Sequence, residues 1–294
     1  MSSEKIPRLV HQIWYDKNEL DNTMPPSKYT SYPENMKTWK EKNPSYNYMF
    51  WNRRKIQELW EHPELQKYKP LLDKLELIEI CDCSRYAILY LYGGIYADLD
   101  FVCMKPFDDL LDKKIIFVPE TNASHRWNGH FTISNSILMS MKRHWFWLYL
   151  LDYIFENFER SRRNKNRSAV YVTGPVALTK ARAQAIKTKK ANEKDLYLTN
   201  GCLFYPNDYD LGRAKECEGV EDQYTINKPR EGTGWYQDYK EAIVKRGIGT
   251  DDTSQTQGQL QIQNPGSFWF IFTCIVLFLV VIFILMLVFL HLRR

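Results

Sequence analysis

Two aspartates one residue apart are the part of this 294-residue chain with the clearest chemical use. Asp98 and Asp100 flank Leu99 within Ile95–Cys103, an apolar segment that predicts a strand. Side chains alternate between the two faces of a strand, so Tyr96, Asp98 and Asp100 are predicted to share one face. Two close carboxylates repel each other unless a cation lies between them, and oxygen ligands suit Mg²⁺ or Mn²⁺. The pair therefore predicts a divalent-cation site at a strand end, where α/β sheets bind ligands.

A second charged pair lies just upstream. Asp82 and Arg85 are three positions apart in the predicted helix Leu75–Tyr92, so they share a face of it. The helix is predicted to end at Gly93 and Gly94, because glycine commonly follows a helix C-terminus. One interpretation is a surface ion pair. The other is that Arg85 contacts a phosphate and Asp82 a ribose or sugar hydroxyl.

Strand and helix patterns alternate along the chain. Apolar segments typical of strands cover Arg8–Trp14, Tyr46–Trp51, Ile115–Val118, Leu203–Tyr205 and Tyr224–Ile226. Further helical patterns cover Pro33–Lys42, Arg53–Trp60, Pro63–Leu72 and Met139–Phe158. This alternation predicts an α/β sandwich with a mostly parallel central sheet.

The C-terminal part of the sequence predicts a single membrane anchor. Residues 268–290 carry no charge, and at about 1.5 Å per residue they would form a helix of about 34 Å, enough to cross a bilayer. The predicted organisation is a domain over 1–246, a flexible stalk over 247–267, the transmembrane helix and a short basic tail over 291–294. The anchor's position favours a cytosolic domain, whereas Arg293 and Arg294 favour a cytosolic tail and a lumenal domain. The expected location is a Golgi or other secretory membrane, with the side of the domain left open.

The charge and the cysteines narrow the function classes. The net charge is +5, and its basic clusters, Arg160–Arg167 and Lys180–Lys190, are typical of solvated surfaces or of contact with anionic lipid headgroups. No recognisable nucleic-acid-binding module accompanies them, so nucleic acid is not an expected partner. The six cysteines fit no zinc pattern, and the sequence leaves open one or two disulfides in a lumenal domain.

The segment from Asp82 to Asp100, DCSRYAILYLYGGIYADLD, closely resembles the DxxR…GGIYxDxD signature of the family 32 glycosyltransferases, which contain a DXD motif. The opening IPRLVHQIW, beginning at Ile6, and the segment NPSYNYMFW, ending at Trp51, resemble two other motifs of that family. The SNS…RH segment from Ser134 and the TGP segment from Thr173 are similar to the inositol phosphorylceramide mannosyltransferases of the same family. The resemblance covers roughly residues 6–240.

This resemblance implies a GT-A-like nucleotide-sugar-binding fold and a retaining glycosyl transfer that depends on Mn²⁺ or Mg²⁺. The implied donor is GDP-mannose, and the implied acceptor is a hydroxyl of a membrane glycolipid or glycan. A UDP-sugar donor carrying galactose, glucose or N-acetylglucosamine is the alternative.

The resemblance also implies roles for individual positions. The catalytic group comprises Asp98, Asp100 and Arg85. The nucleotide-sugar site comprises Ile13, Trp14, Asp82, Arg85, Gly94, Asp98 and Trp235. The metal ligands are Asp98, Asp100 and Asn227, and the acceptor contacts are His125, Asn135 and Gly174. Three positions depart from the family pattern: Asn227 stands where a histidine is expected, Ser136 replaces an aspartate, and Trp145 replaces a proline.

Two other function classes remain open at this point. Asp98–Val102 also fits the DxDx[TV] loop of aspartyl-phosphate phosphatases. That hypothesis leaves Asp82, Arg85 and the glycine pair unexplained, and the acidic pair it needs, Asp251 and Asp252, falls in the predicted stalk. A non-catalytic, membrane-bound binding protein is the other hypothesis, and the asparagine at position 227 supports it.

Overall fold

The computed structural model describes residues 5–25, 31–120, 126–127, 130–163, 168–208, 212–213 and 215–227. They fall within the first of the two units into which the chain divides, Met1–Glu231, whereas Gly232–Arg294 lies outside the described residues. The predicted stalk, the transmembrane helix and Trp235 therefore lie outside them as well. Over the described ranges, no helix combines the length and the apolar character needed to cross a bilayer.

The described strands are, in chain order, β1 (Leu9–Ile13), β2 (Asn47–Trp51), β3 (Gly94–Ala97), β4 (Phe101–Cys103), β5 (Ile115–Pro119), β6 (Arg126–Trp127), β7 (His130–Phe131), β8 (Ile133–Ser140), β9 (Tyr197–Leu198), β10 (Asn207–Asp208), β11 (Gly212–Arg213) and β12 (Thr225–Asn227). The described α-helices are α1 (Ser31–Lys42), α2 (Arg53–Trp60), α3 (Lys69–Leu72), α4 (Leu77–Tyr92), α5 (Trp145–Arg163), α6 (Ala169–Val172) and α7 (Pro175–Lys187). Short 3₁₀ helices cover Pro63–Tyr68, Asp108–Leu110, Gly201–Leu203 and Lys215–Cys217.

The central sheet has six strands in the order β2-β1-β3-β8-β5-β9. Strand β8 runs antiparallel to both of its neighbours, β3 and β5, while the other neighbouring pairs are parallel. The prediction of a mostly parallel sheet is therefore confirmed. Parallel neighbours bring the carboxyl ends of β1, β2 and β3 to one edge of the sheet, and β12 pairs with β4 just beyond that edge.

Three predicted elements were wrong. The predicted strand Ile95–Cys103 is two strands, β3 and β4, separated by a turn that contains both aspartates. The predicted helix Met139–Phe158 begins only at Trp145, because residues 133–140 form β8. Nearly all of β8 is buried, so its sequence lacks the alternation that marks a half-exposed strand. Leu203–Tyr205 is not a strand, since its first residue ends a 3₁₀ helix.

Helix α4 is the element that fixes the site. Its residues from Cys81 to Leu91 are all buried, so it passes through the core rather than over the surface. On one side it packs in a large apolar cluster that includes Trp147 and Phe117, with Tyr86 stacked on Trp147. Because α4 is enclosed, its polar residues must find partners inside the protein.

A disulfide ties two segments that precede β12. It joins Cys202 in one short 3₁₀ helix to Cys217 in another. Cys81, Cys83 and Cys103, all buried, are free thiols. The sequence had left such a disulfide open, and the structure forms one between these residues.

Candidate active site

The two aspartates lie in a turn at the carboxyl end of β3. The backbone carbonyl of Asp98 accepts from the Phe101 amide at 3.3 Å, which reverses the chain between β3 and β4. Two other carbonyl contacts fix the turn: Gln12 Nε2 donates to Asp98 O at 3.2 Å, and Asn35 Nδ2 donates to Leu99 O at 2.9 Å. The prediction that both carboxylates share one face of a continuous strand is therefore wrong, because β3 ends at residue 97.

Two side chains fix the orientation of the Asp98 carboxylate. Tyr96 donates its hydroxyl to Asp98 Oδ1 at 2.6 Å. Arg85 Nη1 lies 3.3 Å from the same oxygen, and the guanidinium stacks over the Tyr96 ring at 4.8 Å. The Asp98 side chain is still 31% exposed, so it can face a ligand while its orientation is fixed.

Arg85 is buried, with only 4% of its side chain exposed. Its Nη1 donates to Asn135 O at 2.6 Å, and its Nη2 lies 3.2 Å from Asp82 Oδ1. Burial lowers the pKa of Arg85, but the negative charges around it, Asp98 first among them, outweigh that effect and leave the pKa raised. The surface-ion-pair interpretation of Asp82 and Arg85 is wrong, since both side chains lie inside the protein.

Asp82 has three donors around its carboxylate. Besides Arg85, Asn135 Nδ2 donates to Oδ1 at 2.8 Å, and Thr173 Oγ1 donates to Oδ2 at 2.8 Å. Burial raises the pKa of Asp82 to about 6, and the Arg85 charge and the two hydrogen bonds limit the rise. Asp82 is thus mostly charged at neutral pH, as the adjacent guanidinium requires.

The oxygen atoms at this turn fit a divalent cation in type. Asp98 and Asp100 are both partly exposed residues, with Asp100 Oδ1 itself buried, and carboxylates are the ligands that Mg²⁺ and Mn²⁺ prefer. The register of β12 on β4 pairs the backbone of Asn227 with Phe101, one residue after the aspartate turn. No group of three or more His, Cys, Asp or Glu side chains converges among the described residues. An asparagine amide oxygen is also a ligand type that these hard cations accept.

Gly94 occupies the other end of β3. At about 3.3 Å per residue, four residues of strand separate it from Asp98 by roughly 13 Å. A Cβ at Gly94 would lie 2.4 Å from Leu9 O, and its φ is +97°. Glycine at this position therefore allows β3 to pack closely against β1.

The remaining predicted residues divide into three groups. Ile13 ends β1, and Trp14 follows it with its amide bonded to Trp51 O at 3.0 Å, at the same sheet edge as the aspartate turn. Asn135 joins the Asp82 cluster, while Gly174 is buried in the turn before α7. His125 and Trp235 lie outside the described residues.

Several residues of the site were not predicted from the sequence. Tyr96 and Gln12 orient Asp98, and Asn35 fixes Leu99. Thr173 completes the donors around Asp82. Three of them lie in segments that carry the family resemblance, Gln12 in IPRLVHQIW, Tyr96 in GGIYADLD and Thr173 in TGP, and that position was the available indication.

The aspartate turn, Asp82 and Arg85 fall in a region that matches a known family model. Residues 31–116 match the family described as the glycosyltransferase sugar-binding region containing a DXD motif. Inositol phosphoceramide mannosyltransferase 1 of Schizosaccharomyces pombe is 32% identical over 40% of this chain and 35% of its own length. An uncharacterized glycosyltransferase of Acanthamoeba polyphaga mimivirus is 28% identical over 72% of this chain and 77% of its own length.

One similar solved structure is the catalytic domain of alpha-toxin from Clostridium novyi. It is 11% identical, with a TM-score of 0.46 over 84% of this chain and 83% of that one. The chain spans about a third of the length of the yeast relative that it matches. The matched region contains Asp82, Arg85, Asp98 and Asp100, and it is similar to the glycosyltransferase sugar-binding region that contains a DXD motif.

Proposed function

We propose that this protein transfers mannose from GDP-mannose to a hydroxyl of a membrane glycolipid, with retention of the anomeric configuration and with Mn²⁺ or Mg²⁺ bound at the aspartate turn. The observation that carries the proposal is the turn itself, where the partly exposed residues Asp98 and Asp100 lie beside a buried Arg85–Asp82 pair. The name of the yeast relative, an inositol phosphoceramide mannosyltransferase, supports the sugar and the lipid class.

The chemistry follows from the charge that develops on the leaving diphosphate. A divalent cation held by Asp98 and Asp100, with Asn227 as the proposed third ligand, would supply positive charge there. The protein's own residues prepare this position: Tyr96 and Arg85 set the orientation of the Asp98 carboxylate before any ligand arrives. Groups positioned in advance need no reorganisation during the reaction, which is the main source of electrostatic catalysis.

The nucleotide would lie along the same sheet edge. Trp14 follows β1 there and meets Tyr32 edge to face, with ring centroids 6.0 Å apart. A base stacked against this tryptophan would lie at the same sheet edge as the aspartate turn. We also propose that 268–290 anchors the domain to a secretory membrane, which would bring a lipid acceptor within reach.

A donor panel tests this function. The full-length chain in detergent is incubated with GDP-mannose or with UDP-linked galactose, glucose or N-acetylglucosamine, with Mn²⁺ or EDTA, and release of nucleoside diphosphate is measured. We expect GDP release from GDP-mannose that EDTA abolishes. Release from UDP-sugars alone would overturn the mannose assignment.

The matched variants are Asp100→Asn and Asp112→Asn. Asp112 is an exposed aspartate whose partner is Lys5, so its change leaves the turn intact. We expect Asp100→Asn to reduce turnover by at least about 10²-fold, the scale seen when one group that stabilises transition-state charge is removed. An Asp100→Asn protein with wild-type turnover in EDTA would rule out the aspartate turn as the active site.

A further inference from the structure

The Thr-Gly-Pro segment at 173–175 has no role in the mechanism described so far. Its threonine is completely buried, and its hydroxyl donates to Asp82 Oδ2 at 2.8 Å across 91 positions of sequence. The Thr173 carbonyl accepts from the Tyr86 hydroxyl at 2.8 Å, one helical turn along α4 from Asp82. Two atoms of one residue thus bind two side chains of α4.

The glycine and the proline explain how the threonine reaches this position. A Cβ at Gly174 would lie 3.0 Å from Ala169 O and 3.0 Å from Val170 Cα, so the turn closes tightly on α6 only because no side chain intervenes. The amides of residues 173 and 174 both donate to Ala169 O, at 3.0 and 2.8 Å. Pro175 then begins α7, a position where its missing N–H costs nothing. These three residues together fix the position of the Thr173 hydroxyl.

The hydroxyl acts on the aspartate turn through a continuous chain of contacts. Thr173 and Asn135 fix the two oxygens of Asp82, and Asp82 faces Arg85 at 3.2 Å. Arg85 then lies 3.3 Å from Asp98. Every link is buried until the last, where Asp98 reaches the solvent.

We infer that Thr173 is a positioning residue that acts through Asp82 and Arg85 to hold Asp98 in its cation-binding orientation. The inference rests on the proposed function, because it assigns the segment to the donor and metal site rather than to the acceptor. Both intermediate residues of this chain of contacts are themselves fixed by Asn135, whose O accepts from Arg85 and whose Nδ2 donates to Asp82.

The test compares three threonine variants of the full-length chain. Thr173→Val removes the hydroxyl at nearly constant volume, and Thr173→Ser keeps it. Thr179→Val is the control: it lies in α7, donates to Pro175 O at 2.7 Å and accepts from Ile133 N at 2.8 Å, with no contact to Asp82. Mn²⁺ binding is measured by calorimetry in the absence of donor, the donor KM and kcat from GDP release, and the unfolding temperature from circular dichroism.

We expect Thr173→Val to weaken Mn²⁺ binding about ten-fold, the lower range for loss of a residue that orients a metal ligand. The donor KM should rise with it, Thr173→Ser should restore both, and Thr179→Val should change neither. If Thr173→Val does not fold, Thr173→Ala takes its place, with the same expectation.

Two outcomes overturn the inference in distinguishable ways. Wild-type Mn²⁺ affinity in Thr173→Val, with an unfolding temperature lowered as in Thr179→Val, would make the segment a purely structural turn and leave the proposed function intact. A wild-type chain that binds no Mn²⁺ would refute the proposed metal-dependent function and the inference together.

Discussion

The two ends of strand β3 differ in the charge of the groups buried around them. At its carboxyl end the buried groups are charged: Arg85 lies between Asp82 and Asp98, and we call this cluster, with Asn135 and Thr173, the charged end.

At its amino end the buried groups are neutral. Gly93 and Gly94 let β3 approach its neighbours closely, and His11 lies between them and Trp51. Trp51 Nε1 donates to His11 Nδ1 at 3.1 Å, so His11 Nε2 carries the hydrogen that faces Gly93 O at 2.8 Å. Burial lowers the pKa of His11 to about 4 and keeps the ring uncharged. We call this region, with His144 in the turn before α5, the neutral end.

The two ends differ in what lies beside them. At the neutral end a Cβ on Gly93 or Gly94 would come within 3 Å of backbone atoms of Lys142 or Leu9, so protein atoms fill the space beside the two glycines. The charged end retains buried ionic groups, although apolar residues of equal volume would often give a protein of equal or greater stability. Such an arrangement is expected where a charge must be presented to a ligand in a fixed orientation.

The largest predicted loss of stability comes from removing the positive charge of Arg85. Arg85→Gln leaves the buried carboxylate of Asp82 and the half-buried one of Asp98 without their countercharge, and we expect a loss of about 3–5 kcal/mol in unfolding free energy. Urea denaturation at neutral pH measures it. The control is Arg143→Gln, whose half-exposed pair with Glu64 is screened by solvent and should matter far less. Equal losses in the two variants would contradict the distinction between the two ends.

The charged end was only partly predictable from the sequence. Asp82 and Arg85 share a helix face, and the turn follows within one segment, so local spacing was enough to indicate them. Thr173 lies 91 positions from Asp82, and Asn135 lies 53 positions from it. Local periodicity carries no information about such contacts, and only the family resemblance drew attention to their segments.

The secondary-structure elements divide in the same way into those that local patterns predicted and those that they missed. The helix that ends at Gly93 and the strands β1 and β2 were predicted within two residues, because their apolar patterns and terminal residues are local. Strand β8 was missed because both of its faces are buried, so its pattern has no period of two. The turn at residues 98–100 was missed because Phe101–Cys103 resumes an extended pattern immediately after it.

The second prediction concerns the neutral end. Gly94→Ala places a Cβ against the Leu9 backbone at a positive φ, and we expect a loss of about 2–3 kcal/mol with little change in the donor KM of the folded protein. The control Gly219→Ala has a φ of +76° but no atom within 4 Å of its Cβ, so it reports the backbone strain alone. A raised donor KM at unchanged stability would instead make Gly94 a donor contact, as the family resemblance implies.

The smallest predicted effect is a pH dependence. His144 is buried, and burial, followed by the Lys114 charge, lowers its pKa from 6.5 to about 4. The unfolded chain therefore binds a proton near pH 6.5 and the folded protein only near pH 4, so stability is full above pH 6.5 and falls as the pH drops towards 4.

At about pH 5 this histidine should cost about 2 kcal/mol. His144→Asn removes the titration but keeps a side-chain acceptor for the Phe146 amide at the start of α5, which His144 Nδ1 now accepts at 3.3 Å. We therefore expect the variant to match the wild type in urea denaturation at about pH 7 and to exceed it at about pH 5. His11 and Asp82 titrate in both proteins, so the difference between the two curves isolates His144. If the stability difference between variant and wild type is the same at both pH values, His144 is charged in the folded protein at the lower pH. The neutral end would then not be neutral.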